Sequence, residues 1–219
     1  MAGGKPRRYH SPQRKAAALA TRQAVLDAAV ALFADRGYQG TTLAGVGDAA
    51  GVSLATVKLI AATKAELLLE AFHSRARGDS SGVPLAERAG WKAILAERDP
   101  SRLIRRVVVH SGSIHKRQAG LFDLLRQAGS SQPQLAVVER KGGAGRRRDM
   151  RGVARALASL GALRQRVDVE SATDVLWVLD SPQVYRLCLQ NGWTPARWER
   201  WLCDALEAQL LRPPRNGGR

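Results

Sequence analysis

Apolar residues recur along almost the whole chain at intervals of three and four, the spacing of one face of an α-helix. The first helix is predicted over 19–36, with Gly37 as its stop. Its apolar face comprises Val25, Ala28, Ala29, Leu32 and Phe33. Strand-like alternation of apolar and polar residues is absent. The pattern therefore predicts an all-α protein.

Helix start signals divide the next segment into three short helices. The predicted spans are 43–50 capped by Thr42, 54–60 capped by Ser53, and 64–76 opened by a capping box of Thr63 and Glu66. Gly51 suits the tight left-handed turn between the first two of them. Two short helices joined by such a turn form a helix-turn-helix, here at about 42–61, whose second helix enters the major groove of DNA.

The rest of the chain predicts a second, larger helical domain. Helices are expected at 100–116, 119–129, from Pro133 onward, 146–160, 169–180, 182–191 and 195–211, with a solvated junction around the glycines of the basic run 141–151. The resulting organisation is a flexible basic arm at 1–18, a three-helix domain at 19–76, a linker loop at 77–99 and a helical domain at 100–212.

Charge adds a partner class to this picture. Lys and Arg number 35 against 19 Asp and Glu, a formal net charge of +16. A protein with so large a positive charge usually binds a polyanion, most often a nucleic acid. Arg7, Arg8 and Arg14 are candidates for an arm that reaches a minor groove, with a disordered tail as the alternative. Since only seven of the 35 basic residues are lysine, codon bias toward arginine is the competing explanation for the charge.

Other classes find little support. No apolar stretch approaches the roughly 18 residues that span a bilayer, and the basic start lacks the apolar core of a secretory signal. Two cysteines within helical patterns are typical of a reducing cytoplasm. Metal-ligand and phosphate-loop motifs are absent, so neither a metal nor a cofactor is expected. The four histidines have no partner at catalytic spacing, which disfavours the alternative of a small enzyme.

Residues 21–72 resemble the DNA-binding domain of the TetR family of transcriptional regulators. The resemblance rests on Ala28, Leu32, Phe33, Gly37, Tyr38, Thr41, Thr42, Val46, Ala50, Gly51, Val52, Ser53, Thr56, Val57, Lys64, Leu67 and Leu68. The C-terminal part resembles one branch of the family in Ala172, Asp174, Val175, Leu176, Trp177, Ser181, Pro182, Tyr185, Arg186, Trp193, Thr194 and Pro195. The resemblance implies a homodimer whose three-helix heads bind a palindromic operator. It also implies a larger C-terminal domain that binds a small ligand. Binding of the ligand usually releases the DNA, and most members of the family are repressors.

One stretch departs from the family pattern. Where the recognition helix usually ends in Tyr-x-[His/Tyr]-Phe, this chain has Lys58, Leu59, Ile60 and Ala61. Loss of the packing ring at Ala61 costs about 3–5 kcal/mol unless a neighbour refills the space. Gly45 and Gly47 cost roughly 1 kcal/mol each in the second helix, so a looser head is expected. The departure supports an alternative function, a ligand- or partner-binding dimer that has lost specific DNA recognition.

The candidate site residues follow from these patterns and the resemblance. The DNA contacts are expected from Thr42, Ser53, Leu54, Ala55, Thr56, Lys58 and Lys64. The capping hydroxyls and the two lysines suit phosphate, and the apolar side chains suit a thymine methyl group. A dimer face is expected from Trp198, Trp201, Leu202 and Leu206. Candidates for the pocket of an unidentified small-molecule effector are Phe122, Trp177 and Tyr185.

Overall fold

The computed structural model describes residues 12–78, 83–129 and 133–213, and these residues form ten α-helices, a 3₁₀ turn and no β-strand. The helices are α1 Pro12–Gly40, α2 Leu43–Ala50, α3 Leu54–Ile60, α4 Lys64–Arg77, α5 Ala89–Leu95, α6 Pro100–Gly129, α7 Pro133–Ser159, α8 Val169–Leu179, α9 Pro182–Gln190 and α10 Pro195–Leu210. The 3₁₀ turn lies at Leu85–Glu87. The all-α prediction is confirmed.

Helices α1 to α4 enclose the first of two apolar cores, called here the head core. The buried face of α1 matches the predicted stripe at Val25, Ala29 and Phe33, each fully buried. The other members of this core include Val46, Val57, Leu67, Leu68, Ala71 and, from α6, Leu121. Burial of these side chains supplies most of the stability of such short helices, which are marginal in isolation.

The second core, called the body core, is built around α6. Its fully buried members are Leu103, Ile104, Val107, Val108, Val153, Ala154, Leu157, Ala172, Leu176, Trp198, Leu202, Leu206 and Leu210. Trp91 of α5 and Tyr185 of α9 close it at 2% exposure each. Because α6 also places Leu121 in the head core, one rigid helix connects the two cores.

The predicted caps of the head are present. Thr42 Oγ1 accepts from the Gly45 amide at 3.0 Å, and Ser53 Oγ accepts from the Thr56 amide at 3.2 Å. The capping box of Thr63 and Glu66 is complete in both directions. These bonds satisfy amides that a helix start leaves without partners, so short local signals define where the head helices begin.

Two glycines of the head adopt the left-handed conformation that the sequence predicts. Gly51 caps α2 at φ 66°, and Gly37 kinks the end of α1 at φ 66°. Thr41 Oγ1 donates to the Gly37 carbonyl at 2.8 Å, which satisfies an oxygen freed by the kink. Conformations at positive φ strain residues that carry a Cβ, so both turns favour glycine.

Several predicted boundaries are wrong. Helix α1 begins at Pro12, inside the predicted arm at 1–18, because a proline suits the first helical turn and the following alanines favour helix. The predicted linker loop at 77–99 contains α5, whose Trp91 and Ile94 lie three apart and are buried together. In that segment, burial of these two side chains in the folded chain outweighs the local sequence preference for a loop.

Two predicted helix breaks do not exist. The expected pair 100–116 and 119–129 is the single helix α6, since no proline interrupts it. The glycine-rich junction at 141–151 lies inside α7. There, Arg147 contacts Asp174 at 2.5 Å and Arg151 contacts Glu170 at 2.7 Å on α8. Packing of α7 against α8 compensates the roughly 1 kcal/mol that each glycine costs a helix.

The apolar character of α1 also exceeds the sequence expectation. An 18-residue window within Gln13–Gly40 has a mean hydropathy of 1.4, so this one helix is long and apolar enough to cross a membrane by length and composition alone. The expectation that no stretch approaches this limit is therefore wrong. In the fold, the apolar face of α1 is the wall of the head core.

Gly47 allows α2 and α3 to pack closely, a role that its low helix propensity does not indicate. A Cβ built at this position lies 2.9 Å from the Val52 carbonyl oxygen and 3.4 Å from a methyl carbon of Val57. Only glycine therefore allows α2 and α3 to approach this closely. Gly47 therefore serves the close packing of α2 against α3, alongside its helix-propensity cost.

Candidate nucleic-acid interface

The axes of α2 and α3 turn by 107° across Gly51–Ser53. This angle falls in the range of about 90–120° that defines a helix-turn-helix. Val57 is fully buried on the inner side of α3 and anchors it to the head core. The opposite side of α3 is thereby held toward solvent, which is the arrangement of a recognition helix.

The solvent-facing side of α3, called here the reading face, consists of Leu54, Ala55, Lys58 and Leu59. These positions follow the i, i+1, i+4, i+5 spacing of one helical face. Leu54 is 41% exposed and Leu59 is 89% exposed. Leu59 was absent from the predicted contacts, although its place in the recognition helix one residue after Lys58 was a usable signal.

The predicted polar contacts occupy the rim of this face. Thr42 and Ser53 are exposed caps at the starts of α2 and α3. The hydroxyl of Thr56 lies 3.0 Å from Ser53 Oγ, so the two side chains form one hydrogen-bonded pair. Lys58 is the exposed polar residue of the reading face itself.

Lys64 lies at the start of α4 beside the recognition helix. Its Nζ lies 4.5 Å from the centroid of the Tyr38 ring and donates to the Gln39 carbonyl at 3.3 Å. A cation above an aromatic face is attracted by the ring quadrupole, so the lysine is held in place at the head surface. Of the predicted arm residues, Arg14 lies in α1, whereas Arg7 and Arg8 lie outside the described residues.

The departure at Ala61 is accommodated within the head core. Ala61 is 4% exposed and ends α3 in extended conformation. Nearby in the same core, the rings of Phe33 and Tyr38 stack with centroids 6.1 Å apart. The head therefore retains an aromatic pair and a closed core despite the small residue at position 61.

A cavity of about 330 Å³ lies between α6 and α9 in the larger domain. It is lined by His115, Gln118, Ala119, Gly120, Phe122, Pro182, Tyr185, Arg186, Leu189 and Gln190. Two of the three predicted pocket residues, Phe122 and Tyr185, belong to this wall. Trp177 does not: it lies at the surface, 4.9 Å from the guanidinium of Arg146.

A buried hydrogen-bonded pair at the cavity wall was missed by sequence reasoning. His115 Nε2 lies 3.0 Å from Asp180 Oδ1, and the two side chains are 3% and 1% exposed. The His115 ring also packs against Tyr185 and Trp198 at 5.4 and 5.6 Å. Sixty-five residues separate the partners, so no local motif indicates the pair.

Hydrogen bonds connect the cavity wall to the head. Gln118 Nε2 donates to the Phe72 carbonyl of α4 at 3.3 Å. One residue earlier, Arg117 donates to the Arg75 and Ala76 carbonyls of α4 at 2.9 and 3.2 Å. Helix α4 is part of the head core, so these hydrogen bonds join the helix that carries the cavity wall directly to the head.

The predicted dimer face is wrong for three of its four residues. Trp198, Leu202 and Leu206 are fully buried within the subunit, because α10 packs its apolar side against α6 and α8. Trp201 is half-buried against Trp193, with ring centroids 5.7 Å apart. The exposed apolar residues of this region are instead Trp177 and Val178 on α8 and Leu187 on α9.

The described residues hold no group of three or more His, Cys, Asp or Glu side chains placed to bind a metal ion. A model of the bacterial regulatory proteins of the tetR family matches residues 25–71, which comprise most of the head. No curated protein sequence matches the chain.

Solved structures share the fold of most of the chain. They include NalD, the secondary repressor of the MexAB-OprM multidrug efflux pump in Pseudomonas aeruginosa, at 20% identity, a TM-score of 0.63 and coverage of 88% of this chain and 97% of NalD. FadR from Bacillus subtilis in complex with stearoyl-CoA has 18% identity, a TM-score of 0.65 and coverage of 84% and 96%. The SmeT–triclosan complex has 19% identity, a TM-score of 0.66 and coverage of 89% and 93%.

The head geometry and the family match together define a helix-turn-helix domain like that of the tetR-family regulators. The likeness to the solved structures extends the shared fold over most of the chain.

Proposed function

We propose that the chain binds a palindromic operator as a homodimer, represses transcription there, and is released when a small molecule fills the α6–α9 cavity. The observation that carries this proposal is the reading face of α3, which is held outward by buried Val57 and flanked by capped helix starts. The formal charge of +16 supplies attraction to the phosphate backbone.

Lys58→Ala tests the phosphate contact. If each subunit neutralises about four phosphates, log K falls against log salt with a slope near −7 for the dimer. Loss of the Lys58 contact should weaken operator and scrambled duplexes by similar factors and reduce the slope by about one unit per half-site. Fluorescence anisotropy at several salt concentrations measures both effects.

Lys92→Ala is the matched control, because Lys92 is an exposed lysine on α5, away from the head. Its removal should leave the slope unchanged. A wild-type slope shallower than about −3 would contradict the proposal and assign the charge to codon bias.

The cavity chemistry supports a hydroxylated aromatic effector. A carboxylate accepts hydrogen bonds, so the bond to Asp180 places a proton on His115 Nε2. His115 Nδ1 is buried and has no hydrogen-bond partner in the described part of the chain. Its free lone pair suits an O–H donor, while Phe122 and Leu189 supply an apolar wall for a ring.

Triclosan, a phenol that is bound in the SmeT complex, is a suitable probe. It should raise the melting temperature and weaken operator binding about tenfold or more, since ligand and DNA favour different states. Ala119→Trp should abolish this response by filling the cavity, whereas Ala144→Trp, on the exposed side of α7, should preserve it. A full response in Ala119→Trp would place the effector elsewhere.

The second candidate function is that of a ligand- or partner-binding dimer without specific DNA recognition. The observation that favours it is the reading face itself, which offers no aromatic residue and one charged group. One result distinguishes the two functions. A regulator must bind its operator more tightly than scrambled DNA, whereas the alternative function predicts equal binding to both.

A further inference from the structure

Leu59 is the most exposed large apolar side chain among the described residues, at 89%. Its neighbours on the reading face, Leu54 and Ala55, are exposed as well. Fold stability does not require these three side chains, because Val57 and Ala61 form the buried side of the helix. An exposed apolar surface on an otherwise strongly basic protein indicates a contact made with a partner.

The hydrogen-bonding capacity of the reading face is small. The Thr56 hydroxyl is paired with Ser53, and Lys58 donates but cannot accept. Bidentate recognition of adenine needs an Asn or Gln side chain, and that of guanine an Arg or a Lys. Residues 54–60 contain only Lys58 of these, and the proposed function assigns Lys58 to phosphate. In the major groove, the base feature that apolar side chains can distinguish is the 5-methyl group of thymine.

We propose that the reading face recognises thymine methyl groups, with Leu59 as the principal specificity-determining residue and Leu54 and Ala55 beside it. This inference rests on the proposed function. It assigns the operator half-site at least two thymines at the positions that α3 covers, and it assigns Lys58 to the adjacent phosphate. Sequence discrimination is then apolar, and the charge of the head contributes affinity.

Uracil substitution isolates the proposed contact, because uracil pairs as thymine does and lacks only the methyl group. The DNA is an operator recovered by selection from random duplexes, synthesised with uracil at the contacted thymines of each half-site. Each lost contact should weaken binding about fourfold, as expected for one buried methyl group. Uracil at flanking positions is the control and should have no effect.

Leu59→Ala tests the same contact from the protein side and completes a double-mutant cycle with the uracil substitution. It should weaken binding to the thymine operator about tenfold and affect the uracil operator much less, since the partner methyl is already absent. Val109→Ala, an exposed valine on α6 at 52%, is the matched control and should change neither affinity.

Equal binding of thymine and uracil operators would overturn the inference while leaving the proposed function intact. If Leu59→Ala weakens both operators equally, Leu59 contacts sugar or the other subunit, and the inference also fails. Absence of any preferred duplex would remove the proposed function and this inference together, and would make the reading face a surface for a protein partner.

Discussion

Replacing Leu187 with glutamate is expected to convert the proposed homodimer into monomers and to weaken operator binding by at least 100-fold. Leu187 is 59% exposed on α9, and Val178 is 51% exposed on the preceding helix. The core of a subunit interface is more apolar than the rest of the surface, so these exposed side chains are the candidates for that core. A carboxylate placed there loses its hydration without gaining a partner, which costs several kcal/mol.

The loss of DNA affinity follows from the two-headed contact. In a dimer, the second head binds its half-site as an intramolecular event, so separation of the subunits removes the gain from multivalency. Sedimentation velocity gives the oligomeric state, and anisotropy with the operator gives the affinity. Val109→Glu is the control, since Val109 has similar exposure on α6. A dimeric Leu187→Glu protein would move the interface to another surface.

Asp180→Ala is expected to lower the free energy of unfolding by about 3 kcal/mol, through loss of the buried partner of His115. The His115 ring packs against Tyr185 and Trp198, and its side chain is 3% exposed, so water cannot readily replace Asp180 as the partner of Nε2. An unsatisfied buried donor retains its full desolvation penalty. Urea denaturation measures the change.

Asp174→Ala is the matched control on the same segment. Asp174 also pairs with a basic side chain, Arg147, but it is 58% exposed. Exposed pairs contribute about 0–1 kcal/mol, so the two alanine variants should differ by about 2 kcal/mol or more. If they are equally stable, the His115–Asp180 contact is not the structural element proposed for the cavity wall.

The head was largely predictable from the sequence because its signals are local. The caps at Thr42 and Ser53, the turn at Gly51 and the box at Thr63 each act within four residues of themselves. The apolar stripe of α1 and the inward position of Val57 follow from helical spacing.

The features that were missed depend on tertiary packing. Trp198 and Leu202 were assigned to a dimer face because an amphipathic helix does not reveal whether its apolar side meets the same subunit or another. The contact of His115 with Asp180 joins two helices far apart in sequence. Leu59 was overlooked since its significance is its exposure, which only the folded head reveals.

Selection of duplex DNA from a random pool by the purified full chain tests directly whether the protein recognises a specific operator through α3. We expect an inverted repeat whose half-site centres lie about one helical turn apart, or a multiple of it, with thymine at the positions that α3 covers. Enrichment should disappear when the selection is repeated with Lys58→Ala and Leu59→Ala combined. If the protein binds DNA at low salt but the recovered pool has no preferred sequence, the proposed operator recognition is contradicted.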